Sequence, residues 1–118
     1  MKLKSTARIK EINKYGLQFF AACLAYEHQY HDELVDDELT ITSANDSEHG
    51  AKGSYHYIDQ AWDLRTRDKT KGQTAQLASF LKRELGYGWD VVIEKDHIHV
   101  ERDTRNYPDN YPDKENDN

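Results

Sequence analysis

The stretch "WDVVIEKDHIHVER", residues 89–102, decides how the chain folds. Two runs rich in β-branched residues stand on either side of the polar "EKD", and this arrangement predicts a β-hairpin. Side chains along a strand alternate between its two faces. His97, His99 and Glu101 therefore share one face of the second strand, while the Ile and Val between them point into the core.

A further strand is predicted over 60–65, "QAWDLR". Alternation places Asp63 and Arg65 on one face and the apolar Trp and Leu on the other. A carboxylate beside core-facing side chains is costly to bury unless it is paired or binds a metal. Zinc sites that catalyse hydrolysis use three protein ligands, commonly His and carboxylate, and leave one position open. Asp63 and the histidines of the hairpin can contribute to such a set.

The N-terminal half of the chain predicts a helix followed by a strand. Apolar residues at steps of three and four predict a helix from Thr6 to about His31 that packs on the core. Ser5 is the predicted N-cap of this helix. Alternating β-forming residues then predict a strand over 38–43.

A loop and a second helix complete the pattern. Gly, Asn, Asp and Ser in the segment 44–56 predict an exposed loop. Leu and Phe residues in 73–85 lie on one helical face, and Gly86 supplies the end of that helix. The order of elements predicts an α+β domain with a mainly antiparallel sheet flanked by two helices. We expect this domain to span 1–102 and the polar residues 103–118 to form a disordered acidic tail.

Composition limits the classes of function. The chain has 118 residues and no internal repeat, which fits one domain. A net charge of −6 without a basic stripe in the sequence argues against a protein that binds nucleic acid by neutralising phosphates. The single cysteine, Cys23, cannot form an internal disulfide. No stretch has the length and apolar character of a transmembrane span, and we expect a monomer.

Two segments resemble one superfamily of zinc proteins. The segment "SYHYIDQAWD", residues 54–63, resembles the Ser-x-His-x-x-Gly-x-Ala-x-Asp signature of zinc D-Ala-D-Ala peptidases. The matching positions are Ser54, His56, Ala61 and Asp63. The segment "GYGWDVVIEKDHIHVE", residues 86–101, resembles the closing hairpin of the same superfamily, which includes phage endolysins, murein endopeptidases and the hedgehog signalling domain. The resemblance covers roughly residues 38–102.

The resemblance implies a zinc peptidase that cuts D-amino-acid-containing peptides of bacterial peptidoglycan. It implies that His56, Asp63 and His99 bind Zn²⁺, which would lower the pKa of water and polarise the scissile carbonyl. It further implies that Ser54 helps to hold the terminal carboxylate of the substrate. A bare catalytic unit of this kind is typical of a small phage lysin. We expect such a protein in the host cytoplasm before its release to the cell wall, with export as the alternative.

Three residues are candidates for the general base. In the carboxypeptidases a Glu occupies the position held here by Asp96, whereas in the murein and hedgehog branch a His occupies the position of His97. Glu94 is the third candidate, because hedgehog-type domains carry a Glu slightly upstream. We favour His97 with Asp96 beside it, since strand alternation puts His97 on the ligand face whatever the geometry of the turn.

Two departures from the signature affect the expected substrate. Asp59 stands where the family has Gly, and Asp46 stands in the stretch where the family usually carries an Arg after the first strand. Recognition of a terminal carboxylate then depends on Arg65 or Arg67. Both a carboxypeptidase and an endopeptidase therefore fit the sequence.

Two functions other than hydrolysis fit parts of the sequence. A non-catalytic zinc module of the hedgehog type would use the same ligands to stabilise a binding surface. A rolling-circle nickase would combine the "HIH" motif with Tyr111 and Lys114, but a Pro-containing tail does not supply the helix that such a nucleophile needs. The joint presence of Ser54, Asp96 and His97 favours an enzyme.

Overall fold

Five strands form one sheet, and two helices pack against it. The computed structural model describes residues 1–4, 7, 13–44 and 60–108. The strands are β1 (Lys2–Leu3), β2 (Thr40–Ser43), β3 (Ala61–Arg65), β4 (Trp89–Ile93) and β5 (His97–Arg102). The helices are α1 (Lys14–Tyr30) and α2 (Lys71–Leu85). The strand order across the sheet is β1-β2-β3-β5-β4, so β3 and β5 are interior strands.

The sheet is mixed, and the prediction of a mainly antiparallel sheet is wrong. β1 runs parallel to β2 and pairs Leu3 with Ile41, whereas the other neighbouring strands run antiparallel. A strand of two residues carries no alternation pattern, so the sequence contains no signal for β1. The α+β class, the two helices and the hairpin of β4 and β5 are confirmed.

Helix α1 begins later than predicted. The Asn13 side chain caps it and accepts hydrogen bonds from the backbone N–H groups two and three residues further on, at 2.9 and 3.0 Å. Ala7 is not helical, so the predicted start at Thr6 is wrong. Apolar spacing shows which residues face the core but not where the helix begins, and the cap decides that. The predicted N-cap, Ser5, lies outside the described residues.

Helix α2 has the ends that its sequence indicates. Thr70 and Gln73 form a capping box, in which each side chain accepts a hydrogen bond from the backbone N–H of the other, at 3.0 and 2.9 Å. Gly86 follows the helix with a φ of +71°, a left-handed conformation that favours glycine. The helix therefore starts two residues before the predicted 73 and ends where predicted.

Both helices cover the same face of the sheet. Phe19 of α1 stacks on Trp62 of β3, with ring centroids 4.6 Å apart and planes 7° from parallel. The helices and strands contribute to one buried cluster, which includes Cys23, Ile41, Leu64, Leu77, Leu81, Ile98 and Val100. This close packing holds β3 and β5 in place from the helical side. The opposite face of the two strands carries Asp63 and His99.

A buried arginine holds the end of β5. Arg102 is 6% exposed, and its guanidinium donates to the carbonyl oxygens of Gly88, Asp103 and Tyr107 at 3.3, 3.1 and 2.6 Å. The backbone N–H of Asp103 donates in turn to the carbonyl of Gly88 at 2.7 Å. The chain therefore stays packed on the hairpin for several residues beyond the predicted domain end at 102. Residues 109–118 of the predicted tail lie outside the described residues, and disorder there stays a prediction.

The remaining predictions concern the loop and the membrane. The strand predicted over 38–43 is confirmed at Thr40–Ser43. Of the loop predicted over 44–56, only Ala44 is described, and it is buried. Neither described helix combines the length and the apolar character that crossing a bilayer requires.

Candidate metal site

The two strands predicted to carry the site are direct neighbours. β3 and β5 pair in antiparallel fashion, with Asp63 opposite His99 and Arg65 opposite His97. On β5, buried Ile98 and Val100 alternate with partly exposed residues, as predicted. On β3, Trp62 and Leu64 lie in the core as predicted, but Asp63 is buried as well. Residues directly opposite each other on one face of a sheet have neighbouring side chains. The pairing register therefore brings Asp63 and His99 together.

His99 lies between two carboxylates. Its Nδ1 lies 2.9 Å from Asp63 Oδ1, and its Nε2 lies 2.7 Å from Glu101 Oε1. The side chains of His99, Asp63 and Glu101 are 23%, 13% and 20% exposed, respectively. Partial burial strengthens these contacts relative to a fully hydrated surface pair.

The electrostatics of His99 follow from these two contacts. Burial by itself disfavours the charged imidazole, but hydrogen bonds to Asp63 and Glu101, with their negative charges, outweigh it and raise the pKa of His99 to about 9. In the absence of a metal the ring is therefore protonated at neutral pH and donates to both carboxylates. A metal that binds one ring nitrogen must displace the proton there, as at metal sites in general.

Asp63 and His99 could each offer one donor atom to a metal ion. At zinc–ligand distances of about 2.0–2.1 Å, two adjacent donors of a tetrahedral site stand roughly 3.3 Å apart. The 2.9 Å between His99 Nδ1 and Asp63 Oδ1 is close to that spacing. Glu101 on the other ring nitrogen matches the carboxylate that commonly orients a metal-bound histidine. These residues can therefore supply two ligands and an orienting group.

His97 points toward the same carboxylate from the neighbouring position on β5. Its Nε2 lies 3.7 Å from Asp63 Oδ1. Its Nδ1 donates to Asp96 Oδ1 at 2.7 Å, and this hydrogen bond lowers the pKa of the Asp96 carboxyl. With Nδ1 as the donor to Asp96, the Nε2 atom lies on the side of Asp63. The Asp96 carboxylate contacts the His97 ring and not Asp63, so Asp96 can orient that ring.

A β-bulge on β2 shapes the wall beside Asp63. Ile41 pairs with Leu64 and Ser43 pairs with Asp63, so β2 has one residue more than β3 over this interval. The extra residue is Thr42, whose hydroxyl donates to the backbone carbonyl of Asp63 at 3.4 Å. A cavity of about 340 Å³ opens here, and its lining consists of Lys4, Thr42, Asp63, Arg65, Arg67, Asp96 and His97.

The structure thus brings together five of the predicted site residues. Asp63, His99, His97 and Asp96 are linked by direct contacts, and Arg65 lines the same cavity as Asp63 and His97. The third predicted zinc ligand, His56, and the predicted substrate-binding Ser54 lie outside the described residues.

A group of carboxylates that the sequence analysis missed lies next to His99. Asp90, Glu101 and Asp103 each place one carboxylate oxygen within 4.8 Å of the others. Burial and the charges of Asp103 and Glu101 raise the pKa of Asp90, as expected when carboxyl groups share a site. This triad could hold a metal, and its donors are the oxygen ligands that Mg²⁺ and Ca²⁺ prefer. The register of the predicted hairpin could have indicated this triad, because it makes Asp90 and Glu101 cross-strand partners.

Comparison with models of known protein families finds no match, and comparison with solved structures finds none either.

Proposed function

We propose that the chain is a zinc-dependent peptidase that hydrolyses peptide bonds in bacterial cell-wall peptidoglycan, as a carboxypeptidase or an endopeptidase. The observation that carries this proposal is the cross-strand pair of Asp63 and His99, with Nδ1 and Oδ1 2.9 Å apart and His97 beside them. An imidazole and a carboxylate on one side of a rigid sheet, next to a cavity, are the start of a hydrolytic zinc site.

In this proposal Asp63, His99 and His56 bind the zinc ion. The first two come from adjacent strands, and His56 comes from the segment that leads into β3. When bound, zinc polarises a carbonyl group and lowers the pKa of water. Glu101 keeps the His99 ring in one orientation through its hydrogen bond to Nε2.

The roles of the remaining residues follow from their contacts. His97 receives and returns a proton at Nε2, because Asp96 holds its Nδ1 as the hydrogen-bond donor. Arg65 binds a substrate carboxylate from the wall of the cavity. The sequence resemblance adds Ser54 as a hydroxyl donor. The dyad of Asp96 and His97 distinguishes this proposal from a zinc module without catalysis, which has no use for a positioned base.

Metal analysis and peptide digestion test the proposal. We expect the purified full-length protein to contain one zinc ion per chain and to release fragments from purified peptidoglycan, detected by mass spectrometry. Asp63→Asn and His56→Ala should lose zinc, whereas Asp90→Asn should keep it, because Asp90 belongs to the carboxylate triad and not to the proposed ligand set. Lys82→Gln, on the exposed side of α2, is the control and should change neither property.

A separate variant tests the catalytic role of His97. His97→Gln should retain zinc and lose activity by about 10²–10⁴-fold, the usual contribution of a general base. Zinc binding without any turnover would show instead that the chain is a non-catalytic zinc module. Zinc content unchanged in both Asp63→Asn and His56→Ala would refute the ligand assignment.

A further inference from the structure

A groove lined by cations leads away from the proposed zinc site. The cavity beside Asp63 and His97 adjoins a second cavity of about 470 Å³, and the two share Arg67 and Asp96 as a common wall. The second cavity extends to the start of α2 at Lys71. We call the two cavities together the basic groove.

The charge of the basic groove is opposite to that of the chain as a whole. Among the described residues, six Lys or Arg residues line it, together with three Asp or Glu residues. The six cations are Lys4, Arg65, Arg67, Lys69, Lys71 and Lys95. The chain carries a net charge of −6, so positive charge is concentrated at this one surface. A cleft lined by one sign of charge attracts ligands of the other sign.

Most of these cations have no ionic partner within the described part of the chain. Lys69 is the exception, because its buried Nζ donates to the Arg65 carbonyl at 3.1 Å and to Asp68 at 2.9 Å. Arg65, Arg67 and Lys95 form no ion pair with any described carboxylate. Their donors are therefore available to a ligand.

The lining favours carboxylates over nucleobases as the partners of these cations. Neither cavity is lined by Phe, Tyr or Trp, so the described walls offer no aromatic platform on which bases stack. The hydroxyls of Thr42, Thr66 and Thr74 add neutral hydrogen-bonding groups. Guanidinium groups such as those of Arg65 and Arg67 bind carboxylates in bidentate fashion.

We propose that the basic groove binds an acidic peptide, with several carboxylates placed on the Arg67 side of the scissile bond. This inference rests on the proposed function for the position of that bond. It makes substrate charge, and not only the D-amino acids, a determinant of specificity. It also identifies Lys4, Arg67, Lys71 and Lys95 as substrate-binding residues alongside Arg65.

The test compares two synthetic D-amino-acid-containing peptides, one with three free carboxylates and one in which each carboxylate is an amide. Calorimetry on metal-free full-length protein measures binding without hydrolysis, and KM values on the zinc-loaded protein repeat the comparison. We expect the acidic peptide to bind at least tenfold tighter at low salt. This advantage should shrink as salt rises from about 20 to 200 mM, since the screening length falls from roughly 20 to 7 Å.

Matched double variants locate the effect in the groove. Each exposed charge contact contributes about two- to threefold to binding. Arg67→Gln with Lys95→Gln should therefore weaken binding of the acidic peptide about four- to ninefold and leave binding of the amide peptide unchanged. Lys82→Gln with Arg83→Gln removes the same charge from the exposed end of α2 and should change binding by less than about twofold.

The outcomes separate this inference from the proposed function. Any of three results would overturn the inference. These are equal binding of both peptides, equal loss of binding in the two double variants, and tighter binding of a short single-stranded oligonucleotide. Hydrolysis of both peptides with equal KM would refute the groove and leave the peptidase intact. Charge-dependent binding without zinc or hydrolysis would refute the peptidase and leave the groove.

Discussion

Replacing Gly88 by Ala should destabilise the hairpin that carries His97 and His99. A Cβ at this position would lie 2.5, 2.6 and 2.9 Å from Cζ, Nη1 and Nε of the buried Arg102 guanidinium. These distances are too short for a real contact, so the Arg102 guanidinium must shift, and the loss of one of its hydrogen bonds costs about 1.5–3 kcal/mol. The φ of +85° adds about 1–2 kcal/mol for a residue with a Cβ. The expected loss is roughly 2.5–5 kcal/mol of a free energy of unfolding that is typically about 5–15 kcal/mol.

Gly86→Ala is the matched control for this substitution. Gly86 also has a positive φ, of +71°, but a Cβ there would meet no atom within 4 Å. Gly86→Ala should therefore cost only the conformational part, about 1–2 kcal/mol. Urea denaturation followed by Trp fluorescence gives both free energies of unfolding, and a double-mutant cycle with Arg102→Ala isolates the clash. If Gly88→Ala were no more destabilising than Gly86→Ala, Arg102 would not occupy the position described.

Three further predictions concern single side chains. Thr70→Ala should cost about 1 kcal/mol of stability in denaturant titrations, because it removes half of the capping box with Gln73, whereas Thr70→Ser should retain most of it. Burial raises the pKa of the Cys23 thiol, so a thiol reagent should modify it only when the protein unfolds; fast labelling of the folded protein would contradict the buried position. Glu101→Gln should weaken zinc affinity about 10–100-fold in competition with a chelator, since the orienting carboxylate of His99 is lost, and an unchanged affinity would exclude that role.

The structural features that the sequence predicts correctly are those determined by neighbouring residues within a single strand or helix. Alternation along "AWDLR" and "HIHVER" determines which side chains face the core, because it is a property of the extended backbone of each strand. Gly86 ends α2 because few other residues adopt its backbone conformation. Asp63 and His99 could therefore be predicted on the side of their strands opposite the apolar side chains, before their contact was known.

Tertiary structure alone decides the features that depend on residues far apart in the chain. β1 forms only because β2 offers an edge, and a two-residue strand has no pattern of its own. The basic groove joins Lys4, Arg67 and Lys95, which no sequence window contains, and so a chain without a basic stripe still concentrates positive charge. The triad of Asp90, Glu101 and Asp103 arises in the same way from strand pairing. The periodicity of a sequence predicts which face of a strand a side chain occupies. Its neighbours on the adjacent strands depend on the pairing register and on how all the elements pack together.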